Sequence, residues 1–130
     1  MSDFITNQTQ NQIDAGLLAT LARRDGDVVL RDGSTVRVRV MQAADEKLLL
    51  ALFKSLSAES RWLRFLSSAS ESALAAEAHR EAAVDYRRTF ALIALTGAED
   101  RIVGHAFYTA ITEDRAEVAF AIADDYQRRG

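Results

Sequence analysis

Cysteine is absent from the 130 residues, so neither a disulfide framework nor a thiolate nucleophile is available. Histidine is scarce: His79 and His105 stand far apart, a spacing that supports no structural zinc site, and no metal is expected. A basic surplus is lacking too. The formal net charge is -3, and the arginines are scattered from Arg23 to Arg129 without forming an evident patch, which argues against nucleic acid as a partner. No apolar run reaches the roughly 20 residues that cross a bilayer. The polar start, residues 1–11, has neither the basic residues nor the apolar core of a secretory signal. No membrane partner and a cytoplasmic location are therefore expected.

What is present suits one globular unit: 48% hydrophobic and 27% charged residues, with no internal repeat or proline-rich linker dividing the chain. The basic residues are almost all arginine and alanine is abundant, a compositional habit of GC-rich bacterial genomes. Residues 1–26 form an N-terminal extension, partly helical or disordered. Ile13, Leu17, Leu18 and Leu21 recur there at helical spacing, but Gly16 weakens the helix. Residues 27–130 form the domain.

Val28-Val29-Leu30 and the alternating Thr35-Val36-Arg37-Val38-Arg39-Val40 flank Asp32-Gly33, a dipeptide favoured in two-residue hairpin turns. Leu48, Leu49, Leu52, Phe53 and Leu56 fall on one helical face, with Asp45 and Glu46 at the end where negative charge favours a helix start. Ser57 is placed to cap a second helix through Trp62 and Phe65, and Ser70 or Ser68 to cap a third, alanine-rich one reaching Ala83. Trp62 and Phe65 read as core or groove-lining packing rather than as a ligand box. Three apolar strands follow, over 90–95, 102–111 and 116–123, with short polar connections, which predicts an antiparallel meander. The fold class is α+β: a hairpin, two to three helices, then a three-strand meander.

The chemistry concentrates at the end. The strand Ala116-Glu117-Val118-Ala119-Phe120-Ala121-Ile122-Ala123 runs through Asp124-Asp125-Tyr126 into Gln127-Arg128-Arg129-Gly130. This resembles the first half of the Gln/Arg-x-x-Gly-x-Gly/Ala signature of the GNAT-type N-acetyltransferase superfamily. Arg101-Ile102-Val103-Gly104-His105 resembles that family's third strand. The segments over 30–39 and 56–65 resemble the entry hairpin and first helical turn of bacterial protein-lysine acetyltransferase domains. The resemblance covers residues 28–130, about two-thirds of such a domain. It implies that a C-terminal helix and further strands lie beyond Gly130, and that the 130 residues alone are inactive.

The resemblance further implies acetyl-CoA as co-substrate, a primary amine such as a protein lysine as acceptor, and no metal. Coenzyme binding falls to Ile122, Ala123, Gln127, Arg128, Arg129 and Gly130, where main-chain N–H groups and a helix N-terminus would cradle pyrophosphate. Glu117 matches the position of the general base. An alkylammonium with a pKa near 10.4 must lose a proton before nitrogen can attack a thioester. In the alternative reading Glu117 faces solvent while Ala116 and Val118 face inward. His105 is a second candidate, half-buried or facing the cleft, with a structural role as its alternative. His79 reads as a surface residue. Asp124 and Asp125 would repel phosphate and are expected to turn outward. A non-catalytic acyl-CoA-sensing or protein-interaction module is the rival function, and an exposed sheet edge offers a route to self-association.

Overall fold

The computed structural model describes residues 26–129 apart from 97 and 99. The helical reading of residues 13–21 lies outside the described residues, and so does Gly130. Strand β1 (Gly26–Val29) begins one residue before the boundary read from the sequence and pairs antiparallel with β2 (Thr35–Val40), Val29 opposite Thr35. The two-residue turn at Asp32-Gly33 is not what forms. Leu30 N–H donates to the Ser34 carbonyl at 2.7 Å and Gly33 N–H to the Leu30 carbonyl at 3.0 Å, so Arg31, Asp32 and Gly33 form a three-residue loop. Of these, Gly33 alone takes a positive φ, +89°. The Asp32 carboxylate instead accepts the Ser34 N–H at 3.0 Å and its hydroxyl at 2.6 Å, a local closure that favours this turn over the two-residue one.

A 3-10 turn (Ala43–Asp45) leads into α1 (Glu46–Ser55). Asp45, read as a helix-start charge, is buried. Its carboxylate accepts two guanidinium hydrogen bonds from Arg39 at 2.8 and 2.9 Å and the Gln42 N–H at 2.8 Å, which ties the end of β2 to the helix entry. The Arg39 hydrogen bond outweighs burial and holds this carboxyl below its usual range. Helix α2 (Ala58–Phe65) is capped by Ser57, whose hydroxyl accepts the Ser60 N–H at 3.1 Å, and ends at Leu66 in the left-handed region. Helix α3 (Glu71–Ala82) is capped by Ser70 through the Ala73 N–H at 3.2 Å.

Strands β3 (Thr89–Leu95), β4 (Ile102–Thr112) and β5 (Arg115–Ile122) form the expected meander. Because β2 also pairs with β3, hairpin and meander make one antiparallel sheet in the order β1-β2-β3-β4-β5. The core packs Leu49, Leu52 and Phe53 of α1 and Leu74 and Ala78 of α3 with Ala91, Ile93, Leu95 and Phe107 of the sheet. Full burial of each large side chain contributes about 2 kcal/mol. Tyr108, Ala110 and Ala116, with Phe90 packed on them, form a smaller cluster at the alternate strand positions. Trp62 and Phe65 part company: Phe65 meets the Phe53 ring edge-on at 4.9 Å, whereas Trp62 is 55% exposed. The expectation of core or groove-lining packing thus holds for Phe65, which packs on the core, whereas Trp62 is not in the core.

Candidate functional site

At the end of β5 the chain turns through a 3-10 segment (Asp124–Tyr126). Ala123 N–H donates to the Val103 carbonyl at 2.9 Å, Tyr126 N–H to Ala123 at 2.8 Å and Gln127 N–H to Asp124 at 3.3 Å. Arg128 then takes a φ of 67°, a costly conformation for a residue with a Cβ, and this reverses the chain. The reversal brings the Arg129 carbonyl to the Arg31 N–H at 2.7 Å and its guanidinium to Asp32 at 3.3 Å and to the Tyr126 ring at 4.4 Å. The side chain of Gln127 donates to the Ile122 carbonyl at 3.0 Å and to the Ser60 hydroxyl at 3.1 Å. The loop is thus pinned to the β1–β2 turn on one side and to α2 on the other.

Ile122, Gln127, Arg128 and Arg129 therefore come together, around an apolar cavity of about 290 Å³ that Val36, Gly104 and Tyr126 also line. Gly104 shapes it: a Cβ there would stand 3.3 Å from the Ala94 Cβ and 3.4 Å from the Ile122 Cδ1. Ala123 sits at the strand end, with its N–H committed to the sheet. Asp124 and Asp125 turn to protein partners, Asp124 accepting from the Ser57 N–H and Ser60 hydroxyl, Asp125 from the Arg101 guanidinium at 2.8 and 3.0 Å.

Glu117 lies opposite Thr109 in the β4–β5 register, with Ala119 opposite Phe107 and Ala121 opposite His105. Alternation puts all six on one face of the sheet, the face that carries the helices. Glu117 is exposed and Ala116 is buried, as the alternative reading expects, whereas Val118, expected to face inward, is 46% exposed. Glu117 borders a cavity of about 150 Å³ shared with Arg64 of α2, Arg80 and Glu81 of α3, Phe107 and Thr109. Arg64 also lines the adjoining cleft of about 260 Å³ formed with Leu63, Phe120, Ile122 and Gln127. One guanidinium thus stands between the Glu117 side and the loop side of β5.

Behind this cavity lies a buried polar cluster. Glu81 is fully buried and its Oε1 accepts from the Arg64 Nη2 at 2.5 Å. Burial pushes its carboxyl up to about 8, the Glu77 carboxylate adding to the push and Arg64 opposing it. His105, expected to be half-buried or facing the cleft, is instead 2% exposed, lying 5.9 Å from the Phe53 ring and 6.0 Å from Phe107. Burial lowers its pKa to about 3, with the Arg64 charge acting in the same direction. His105 Nδ1 approaches the Glu81 Oε1 at 3.9 Å, beyond hydrogen-bond distance. Its place at the centre of β4, beneath α1, accounts for the correction. His79 is on the surface, bound to Glu46 at 3.0 Å.

Arg64, Arg80 and Glu81 were not singled out by sequence reasoning. A signal existed for Glu81: on α3 it falls in the stripe Leu74, Ala78, Glu81, Ala82, a charged residue at a core position.

The fold has solved counterparts. The chain is 31% identical to the GNAT domain of S. lividans PAT, with a TM-score of 0.70 over 84% of this chain and 65% of that one. It thus spans just under two-thirds of the length of that domain. Fold similarity alone extends to a ribosomal-protein-S5-alanine acetyltransferase from Vibrio fischeri, at 15% identity, a TM-score of 0.54 and coverage of 73% and 56%. A GNAT-family acetyltransferase from Bacillus anthracis follows at 12%, 0.50, 73% and 54%. No protein-family model and no curated protein matches the sequence. The resemblance read from the C-terminal motif and the order of elements is borne out by these structures.

Proposed function

We propose that this chain, which belongs by its fold to the GNAT superfamily, forms part of an N-acyltransferase that moves an acetyl group from acetyl-CoA to a primary amine, a protein lysine in particular. The observation that carries the proposal is the arrangement along one strand. Glu117 borders a cavity on the helix-bearing face, and five residues later the same strand ends at Ile122 in the loop that holds Gln127, Arg128 and Arg129. Among the described residues no hydrogen bond engages the N–H groups of Arg128 and Arg129, so these are the donors the loop offers to a phosphate. The apolar cavity and Ile122 suit the less polar length of the donor. Gly130 would extend the same cradle.

In this reading the acceptor's ammonium gives a proton to the Glu117 carboxylate. The freed lone pair forms the C–N bond at the thioester carbon as the C–S bond breaks. The departing thiolate takes the second amine proton, and Glu117 returns its proton to solvent. No covalent enzyme intermediate is needed, and the rate comes from holding amine and thioester together beside the base.

The test is Glu117→Gln in the full-length gene product, assayed with acetyl-CoA and a lysine peptide. Turnover is expected to fall by about 10²–10⁴, with acetyl-CoA affinity nearly unchanged. Wild-type turnover across the pH range would remove Glu117 from the mechanism. Acetyl-CoA binding with no turnover in the unmodified protein would instead favour an acyl-CoA-sensing module.

A further inference from the structure

The cleft of about 260 Å³ between α2 and the end of β5 is walled mainly by apolar residues, and of the residues that line it Arg64 is the single charged one. Its neutral polar residues, Ser60 and Gln127, hydrogen-bond to each other at 3.1 Å. Glu117 lines the neighbouring cavity and not this cleft. The Arg64 side chain is 7% exposed. Among the described residues its hydrogen bonding goes to Glu81 alone, through Nη2, and its Nε has no partner. A guanidinium carries five N–H donors, so this buried cation is sparsely bonded, and the rings of Phe65 and Phe53, 4.8 and 5.5 Å away, compensate it only in part. The same burial raises the Glu81 carboxyl to about 8 and so favours its uncharged form at pH 7. What would complete such a site is a carboxylate.

We propose that the protein also takes acyl-CoA donors whose acyl chain ends in a carboxylate, such as a succinyl group, and that Arg64 pairs with that terminal carboxylate. Position supports this. Ile122 and Gln127 are shared between the cleft and the cavity at the loop, and Arg64 is shared between the cleft and the Glu117 cavity. An acyl group held between loop and base therefore lies beside the guanidinium, in a space far larger than the methyl of an acetyl group fills. The inference rests on the reading of the protein as an acyl-CoA-dependent acyltransferase and adds a class of donor. Transfer runs as for acetyl: the C–N bond forms at the thioester carbon, the C–S bond breaks, and the terminal carboxylate is unchanged.

The experiment is calorimetric titration of the full-length gene product with two non-reactive thioethers. They are S-(3-carboxypropyl)-CoA and its uncharged amide, S-(3-carbamoylpropyl)-CoA, which differ in charge and hardly in size. Wild type is expected to bind the carboxylate about tenfold more tightly than the amide, the size of a hydrogen-bonded charge pair. Arg64→Gln should bind the two alike, and Arg64→Lys should keep most of the preference. Because Arg64→Gln disturbs a buried pair, Phe120→Glu provides a second test: Phe120 is 66% exposed, so the fold tolerates the change, and a carboxylate on the cleft wall should abolish the preference. Equal affinity for the two compounds in wild type, binding of neither, or a preference that survives in Arg64→Gln or in Phe120→Glu would overturn the proposal. Turnover is read separately. A carboxylate preference in a protein that transfers no acetyl group keeps the donor seat and removes the catalytic reading, whereas acetyl transfer without the preference keeps the catalytic reading and removes the seat.

Discussion

Replacing His105 by leucine should make the protein more resistant to acid. In the folded state the imidazole is 2% exposed, neither ring nitrogen has a hydrogen-bond partner among the described residues, and burial lowers its pKa from 6.5 to about 3. The unfolded chain takes up this proton near pH 6.5 while the folded chain does so only near pH 3. Stability from this group is therefore complete above pH 6.5 and is lost as pH falls through that window. At pH 4 the loss is roughly 3 kcal/mol, from 1.36 kcal/mol for each pH unit below 6.5. With a urea m-value of about 1.5 kcal/mol/M, that is a midpoint shift of about 2 M. Leucine is close in volume, meets the same rings of Phe53 and Phe107, and buries no unpaired nitrogen, so at pH 7 the variant should be at least as stable as wild type. The assay is urea unfolding at pH 7, 5 and 4 for both proteins. Other carboxylates contribute equally to both, so the difference between the two acid limbs isolates residue 105. Parallel limbs would refute the claim that His105 is buried neutral, and a large loss at pH 7 would show that its nitrogens have partners.

Three further outcomes are expected. Glu81 has the opposite sign: its folded pKa of about 8 lies above the usual 4.5, so its contribution is complete below pH 4.5 and is lost as pH rises through 8, and Glu81→Gln should flatten the fall of urea midpoints between pH 4.5 and 8. Gly104→Val should cost about 1–3 kcal/mol in urea unfolding and weaken acetyl-CoA binding, because the added carbons press on Ala94 and Ile122 and enter the cavity at the loop. Burial raises the Asp85 carboxyl, but the N–H groups of Arg87, Arg88 and Thr89 together outweigh it and bring the pKa down to about 2. Asp85→Ala should thus cost about 1–2 kcal/mol at pH 7, a deficit that shrinks below pH 3.8 as the wild-type carboxyl protonates.

The local chemistry of the chain was legible in the sequence because it depends on near neighbours. Ser57 and Ser70 cap the helices they precede, the stripe of Leu49, Leu52 and Phe53 forms the buried face of α1, and the three apolar runs became β3, β4 and β5. The order of these elements, with Gln127-x-x-Gly130 at its end, was enough to identify the fold. The sequence also placed Glu117 on the strand that enters the loop. Alternation alone misleads about its face, because Ala116, Val118, Phe120 and Ile122 make the more apolar side of the strand, yet Val118, Phe120 and Ile122 stay exposed while the side of Glu117, Ala119 and Ala121 carries the helices. Pairing with β4 decided that, by setting Glu117 across from Thr109 on the helix-bearing face. The five-stranded sheet, with β2 closing onto β3 across a long separation in sequence, was likewise a tertiary outcome. So was the cluster of Arg64, Glu81 and His105: residues from three elements far apart in the chain meet only when α2 and α3 close over β4. The perturbed proton affinities of Glu81 and His105 come from the water that closure excludes, which no local pattern records.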